Sequence, residues 1–124
     1  MEKVIRIERG WAGHYCCSSR CLFRRNTLLS LGDKKVVVST VGRMYVGNGI
    51  EQVGLDRYYE TMAFFAEEDS VYYDADVERQ IRIDSNWSIN EIDAEREAND
   101  MHENVVNEIV EKLENNKVIN IYNY

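Results

Sequence analysis

The chain has 124 residues, 44% of them apolar and 30% charged, with a net charge of −7, which suits one domain with a single core. No run of about 20 apolar residues occurs, which excludes an apolar transmembrane helix. The opening Met-Glu-Lys-Val-Ile lacks the apolar stretch of a signal peptide, so the expected location is the cytoplasm.

Charge is divided along the chain. Residues 1–45 hold nine Lys/Arg against three Asp/Glu, a net of +6, and the remaining 79 hold six against nineteen, a net of −13. Polymeric nucleic acid, bound mainly through neutralised phosphates, is a poor partner for such a protein, whereas a small anion in a local basic pocket is not excluded. Proline is absent, so Gly and Asn must make the turns. The three cysteines, Cys16, Cys17 and Cys21, are odd in number and crowded, as expected of thiols in a reducing compartment.

In chain order, residues 2–8 alternate apolar and charged at period two and predict a half-buried strand. Residues 9–25 form a cationic, aromatic block, Arg-Gly-Trp-Ala-Gly-His-Tyr-Cys-Cys-Ser-Ser-Arg-Cys-Leu-Phe-Arg-Arg. Within it, 13–17 and 21–30 read as strands around a Ser18-Ser19 turn. Gly32-Asp33 predicts a hairpin into 35–40, whose unbroken valines suggest burial on both faces. Met44-Tyr45-Val46 before Gly47-Asn48-Gly49 predicts a second hairpin. Residues 57–65 and 79–84 complete six or seven short, sequential strands, hence a mostly antiparallel sheet.

From Ser88 the pattern becomes helical. Ser88-Ile-Asn-Glu91 has the spacing of a capping box. Met101, Val105, Val106, Ile109, Val110 and Leu113 make one apolar stripe on a charged helix, which Asn115-Asn116 should stop. Residues 118–122 read as an added strand or a docking tail. The expected class is α+β in one domain, 1–124: a mostly antiparallel N-terminal sheet (1–85) followed by a C-terminal helix or helices (88–116). The stripe packs on its own sheet or, in part, on a partner helix.

The chemistry is narrowed mostly by exclusion. His14, Cys16, Cys17 and Cys21 lack the paired spacing of a zinc site, and adjacent cysteines on a strand point apart. Neither a Walker A loop nor Gly-x-Gly-x-x-Gly occurs. An anion must therefore be held by side chains, with Arg20, Arg24, Arg25 and Arg57 as candidates, because a guanidinium pairs phosphate oxygens in a fork and stacks on bases. Trp11, Tyr15, Phe23, Tyr45, Tyr58 and Tyr59 are candidate stacking surfaces, although only one of two neighbours on a strand faces a given pocket. Asn99 and His102, on one helical face, are candidate polar readers of a base.

Arg9-Gly-Trp-Ala-Gly-His14, Arg20-Cys-Leu-Phe-Arg-Arg-Asn-Thr27, Val37-Val-Ser-Thr-Val-Gly42, Arg57-Tyr-Tyr-Glu-Thr-Met-Ala63, Asp74-Ala-Asp-Val77 and Ala98-Asn-Asp-Met-His-Glu103 together resemble the first-described Thoeris anti-defence proteins of phages and prophages. The resemblance spans most of the chain in separate blocks. It implies a sponge for cyclic ADP-ribose isomers made by bacterial TIR-domain enzymes, with no catalysis and no cofactor. It further implies a sheet followed by helices, dimers with pockets at the subunit interface, and higher oligomers with separate sites for cyclic oligonucleotides.

The expected site comprises Arg24, Arg25 and Arg57 for phosphate, Trp11, Phe23 and Tyr58 for stacking, and His14, Asn99 and His102 as polar contacts. Arg57 is also the candidate for an inter-dimer site. The competing expectations are a small cyclic-nucleotide-processing enzyme using His14 and His102, and a protein–protein inhibitor whose acidic half mimics nucleic acid.

Overall fold

The computed structural model describes residues 2–11, 13–14, 20–68 and 71–123. Among them are seven strands, β1 (Ile5–Arg9), β2 (Cys21–Leu31), β3 (Lys34–Val46), β4 (Gly49–Glu51), β5 (Tyr59–Ala66), β6 (Ala75–Ile81) and β7 (Ser88–Ile89), and one helix, α1 (Glu95–Glu114). The strands form one antiparallel sheet in the order β1-β2-β3-β5-β6, with β4 added to β3 and β7 to β5. This is the α+β arrangement expected from the sequence. Of the expected 13–17 strand and Ser18-Ser19 turn, residues 15–19 lie outside the described residues, and Gly13 and His14 form a bend rather than a strand.

The valine run of β3 is central. Val36, Val37, Val38 and Val41 are wholly buried, so both faces of the sheet are covered there, as a run without alternation requires. On one face Leu29, Val36, Val38, Ala63 and Ile81 meet Val105, Val106, Ile109 and Leu113 of α1. Beside them Phe23 and Tyr59 meet Ala94, Ala98 and Met101. The stripe therefore packs on its own sheet. Each fully buried side chain of this kind contributes about 1.5–3 kcal/mol.

The helix starts well after the capping-box spacing suggests. Ser88 and Ile89 pair with Glu60 and Tyr59 instead, because a backbone in a sheet ladder is not available to a helix. The N-cap is Ala94, with no side-chain cap; Glu95 and Glu97 in the first turn offset the helix dipole. The C-terminal tail docks on the margin of β6: Ile121 bridges Ile81, Tyr122 N–H donates to the Gln80 carbonyl at 3.0 Å, and Arg82 N–H donates to Asn120 at 2.8 Å.

Candidate ligand-binding face

Strand alternation sorts the predicted residues into two groups. Phe23, Arg25 and Thr27 point toward α1, and Arg24 and Asn26 point away from it. Arg25 pairs with Glu8 at 2.8 Å and Glu103 at 2.9 Å. Arg24 is exposed, with no ion pair among the described residues. Of the two adjacent arginines, Arg24 alone is available on the face away from the helix.

That far face carries a polar network. Gly13 N–H donates to Ser39 Oγ at 3.1 Å, and His14 bridges Ser39 (Nδ1 to Oγ, 2.7 Å) and Glu60 (Nε2 to Oε1, 3.1 Å). Gly13 is needed there, since a Cβ would lie 2.8 Å from Ser39 Cβ. The carboxylate of Glu60 accepts from His14 Nε2–H, and the other ring nitrogen shares a hydrogen bond with the Ser39 hydroxyl. Burial alone would raise the Glu60 carboxyl, but the bonds from His14 and Arg57 hold it below its ordinary value.

Arg57 closes this network and is fixed on three sides. Its Nε donates to Glu60 at 2.6 Å, and its guanidinium lies 5.2 Å from the Trp87 ring centre. On the third side is Gly54, where a Cβ would come within 2.4 Å of the guanidinium carbon. Arg24, Val41 and Glu60 stand in one cross-strand row, so the backbones carrying Arg24 and Glu60 are about 10 Å apart. Arg9, over the Trp11 ring at 5.0 Å, donates to Asn26 Oδ1 at 3.0 Å and to the carbonyls of Tyr72 and Tyr73. Asn26 is almost wholly buried, and its Nδ2 has no hydrogen-bond partner among the described residues.

The other predicted residues lie on the helix side. Phe23 is core, edge-on to Tyr59 at 5.8 Å, so its stacking role is corrected to packing. Tyr58 lies just before β5, where alternation has not begun, and packs against the same cluster as Tyr59 rather than facing the opposite side. Asn99 is exposed on α1, with the sheet between it and the far face. The expected pocket half made by Asn99 and His102 therefore does not meet Trp11, His14, Arg24 and Arg57 within one chain.

His102 is wholly buried between Thr27 and Thr40, each at 2.7 Å. Its tautomer follows from its neighbours. Thr27 donates its hydroxyl to the Glu8 carboxylate at 2.7 Å, so it accepts from His102 Nε2–H, and Nδ1 accepts from Thr40, which accepts from Thr61 at 2.6 Å. Burial lowers the imidazole pKa to about 4. Glu8, His102 and Glu103 offer ligand atoms within 4.8 Å of one another, but Arg6 and Arg25 already occupy both carboxylates.

A cavity of about 670 Å³ lies elsewhere, between the β2–β3 turn and the β5–β6 connection. Its Lys34, Lys35 and Arg79 are matched by Asp33, Glu67 and Glu68, so it offers no net charge to an anion. The far face is the better candidate because Arg24 is exposed there with no ion pair among the described residues. The sequence reading missed Asn26, Ser39, Gly54, Glu60 and Trp87. Only Gly54-x-x-Arg57-x-x-Glu60 carried a local signal, a three-residue repeat around an arginine. No protein-family model, curated protein or solved structure matches the chain. No helix among the described residues is long and apolar enough to cross a membrane.

Proposed function

We propose that this protein binds and sequesters a cyclic ADP-ribose isomer of the kind made by bacterial TIR-domain enzymes, without cleaving it, as a phage or prophage anti-defence protein assembled from two or more copies. The observation that carries the reading is Arg57, set between Gly54 and Trp87 with Nε on Glu60. A guanidinium held in this way binds phosphate oxygens with little further ordering. Arg24 supplies a second cation, Trp11 an aromatic surface, and Asn26 a buried donor, all toward the same face. Cyclic oligonucleotides share this phosphate and base chemistry. A sponge must bind below the signalling concentration, so nanomolar affinity, about −12 kcal/mol, is the requirement.

Ser39, His14 and Glu60 repeat the hydroxyl–imidazole–carboxylate order of a nucleophilic triad. Ser39 is wholly buried, however, and its Oγ already accepts Gly13 N–H, so it is out of reach of a substrate. A catalytic pair of His14 and His102 would have to act across the sheet. Both features favour binding over turnover.

The test is retention. The protein is incubated with cyclic ADP-ribose isomers, freed of unbound ligand and heat-denatured, and the released material is analysed. Intact ligand is the expected result. Altered ligand would establish an enzyme, and no retained ligand would overturn the reading. Arg24→Ala and Arg57→Ala should each weaken retention at least tenfold; unchanged affinity in both would refute the far-face assignment.

A further inference from the structure

We infer that residues 71–74 are a built-in competitor for an anionic ligand: their oxygens occupy the fork of Arg9, and an anion of the diphosphate class binds at Arg9 and Asn26 by displacing them. The inference rests on the reading above for the choice of face, and its test needs no nucleotide.

Arg9 stands opposite Asn26 in the ladder of β1 and β2. Among the described residues its hydrogen bonds all go to uncharged oxygens. Nε donates to Asn26 Oδ1 at 3.0 Å, and the two terminal nitrogens donate to the carbonyls of Tyr72 and Tyr73. Burial draws the guanidinium below its usual pKa, and the charge of Asp74 opposes that. Asp74 ends the same segment, its carbonyl accepting from Glu67 N–H at 2.7 Å. The segment thus offers Arg9 two oxygens in a fork with a negative charge nearby, which is how a phosphate presents itself to an arginine.

The segment is built to leave. Tyr73 has a φ of 53°, a left-handed conformation that a bulky side chain resists, so the backbone is strained where it meets Arg9. Val71 and Tyr72 are 84% and 69% exposed, so little apolar burial holds them in place. Asn26 points to what replaces them. It is almost wholly buried, Arg9 takes its Oδ1, and its Nδ2 has no partner among the described residues. The bond from Arg9 fixes the amide, so the group left over is a donor that calls for an acceptor oxygen beside Arg9. Arg24 is the diagonal neighbour of Arg9 on this face, about 7–8 Å away, a spacing that two long side chains close around two linked phosphates. Charge-assisted bonds to phosphate are roughly twice as strong as bonds between neutral groups. A diphosphate therefore outcompetes the two carbonyls, and Asp74 moves off with them.

The test uses the full chain with inorganic pyrophosphate as the probe. Calorimetry reads affinity, hydrogen exchange reads the backbone at 71–74, and circular dichroism confirms the fold. Pyrophosphate should speed exchange at 71–74 at least fivefold in the wild type. Asp74→Asn should bind it at least threefold tighter. Arg9→Gln should bind it at least tenfold more weakly and should exchange fast at 71–74 without any anion, because the carbonyls have lost their cation. Absent binding to the wild type, unchanged or slower exchange at saturation, or wild-type affinity in either variant overturns the proposal. Cyclic ADP-ribose isomers run alongside separate the two readings. Nucleotide retained while pyrophosphate leaves 71–74 unmoved overturns the competitor alone, and 71–74 opened by pyrophosphate with no nucleotide retained overturns the sponge alone.

Discussion

A surface arginine that grips a ligand ordinarily gives up roughly 2 kcal/mol of side-chain freedom. Arg57 has already given up much of this, with Trp87 on one side, the Gly54 backbone on another and Glu60 at its Nε. Gly54→Ala therefore separates position from charge. Its Cβ would displace the guanidinium, the far end of a flexible side chain, so the fold should survive while Arg57 moves. Retained ligand should fall about tenfold, with the thermal midpoint within about 2 °C of wild type. Wild-type retention by Gly54→Ala would show that the placement of Arg57 is unimportant, even if Arg57→Ala is defective.

Helix α1 is held by its apolar stripe, since Ala94 supplies no side-chain cap. Ile109 is wholly buried between strands and helix, and Ile109→Ala should cost 2–5 kcal/mol through lost burial and the cavity left behind. Val118, 78% exposed on the tail, should tolerate alanine within about 0.5 kcal/mol. Denaturant titration of both variants checks the pair, and equal losses would contradict this packing. The stripe, the valine strand and the Gly32-Asp33 hairpin were legible because each is a local pattern of burial or turn chemistry. The helix start was not, because pairing with β5 competed for Ser88. The candidate site was half legible. Composition pointed to Arg24, Arg57 and Trp11, which share the far face, and equally to Arg25 and Phe23, which do not, and Asn26, Ser39 and Glu60 acquire meaning only when three strands bring them side by side.

The junction between sheet and helix makes the stability of the whole molecule depend on pH. His102 is neutral in the fold down to about pH 4 because burial opposes its charge, whereas in the unfolded chain it takes a proton near pH 6.5. Between those values the unfolded state binds more protons, so stability is fully present above pH 6.5 and is lost as pH falls toward 4. At about 1.4 kcal/mol per unit the loss amounts to roughly 3 kcal/mol. A second loss overlaps it. The hydrogen bond from Arg6 holds the Glu103 carboxyl down to about 2, so that contribution is present above about pH 4.5 and is lost toward 2. Glu103 is more than one-third exposed, so solvent reduces its share and His102 dominates above pH 4.5. Urea titrations at pH 7, 6, 5 and 4.5 should show stability falling steadily. His102→Gln keeps hydrogen-bonding groups for Thr27 and Thr40 but does not titrate, and should flatten that slope whatever its effect at pH 7. A wild type equally stable at pH 7 and 5, or a variant with the same slope, would place the acid sensitivity elsewhere.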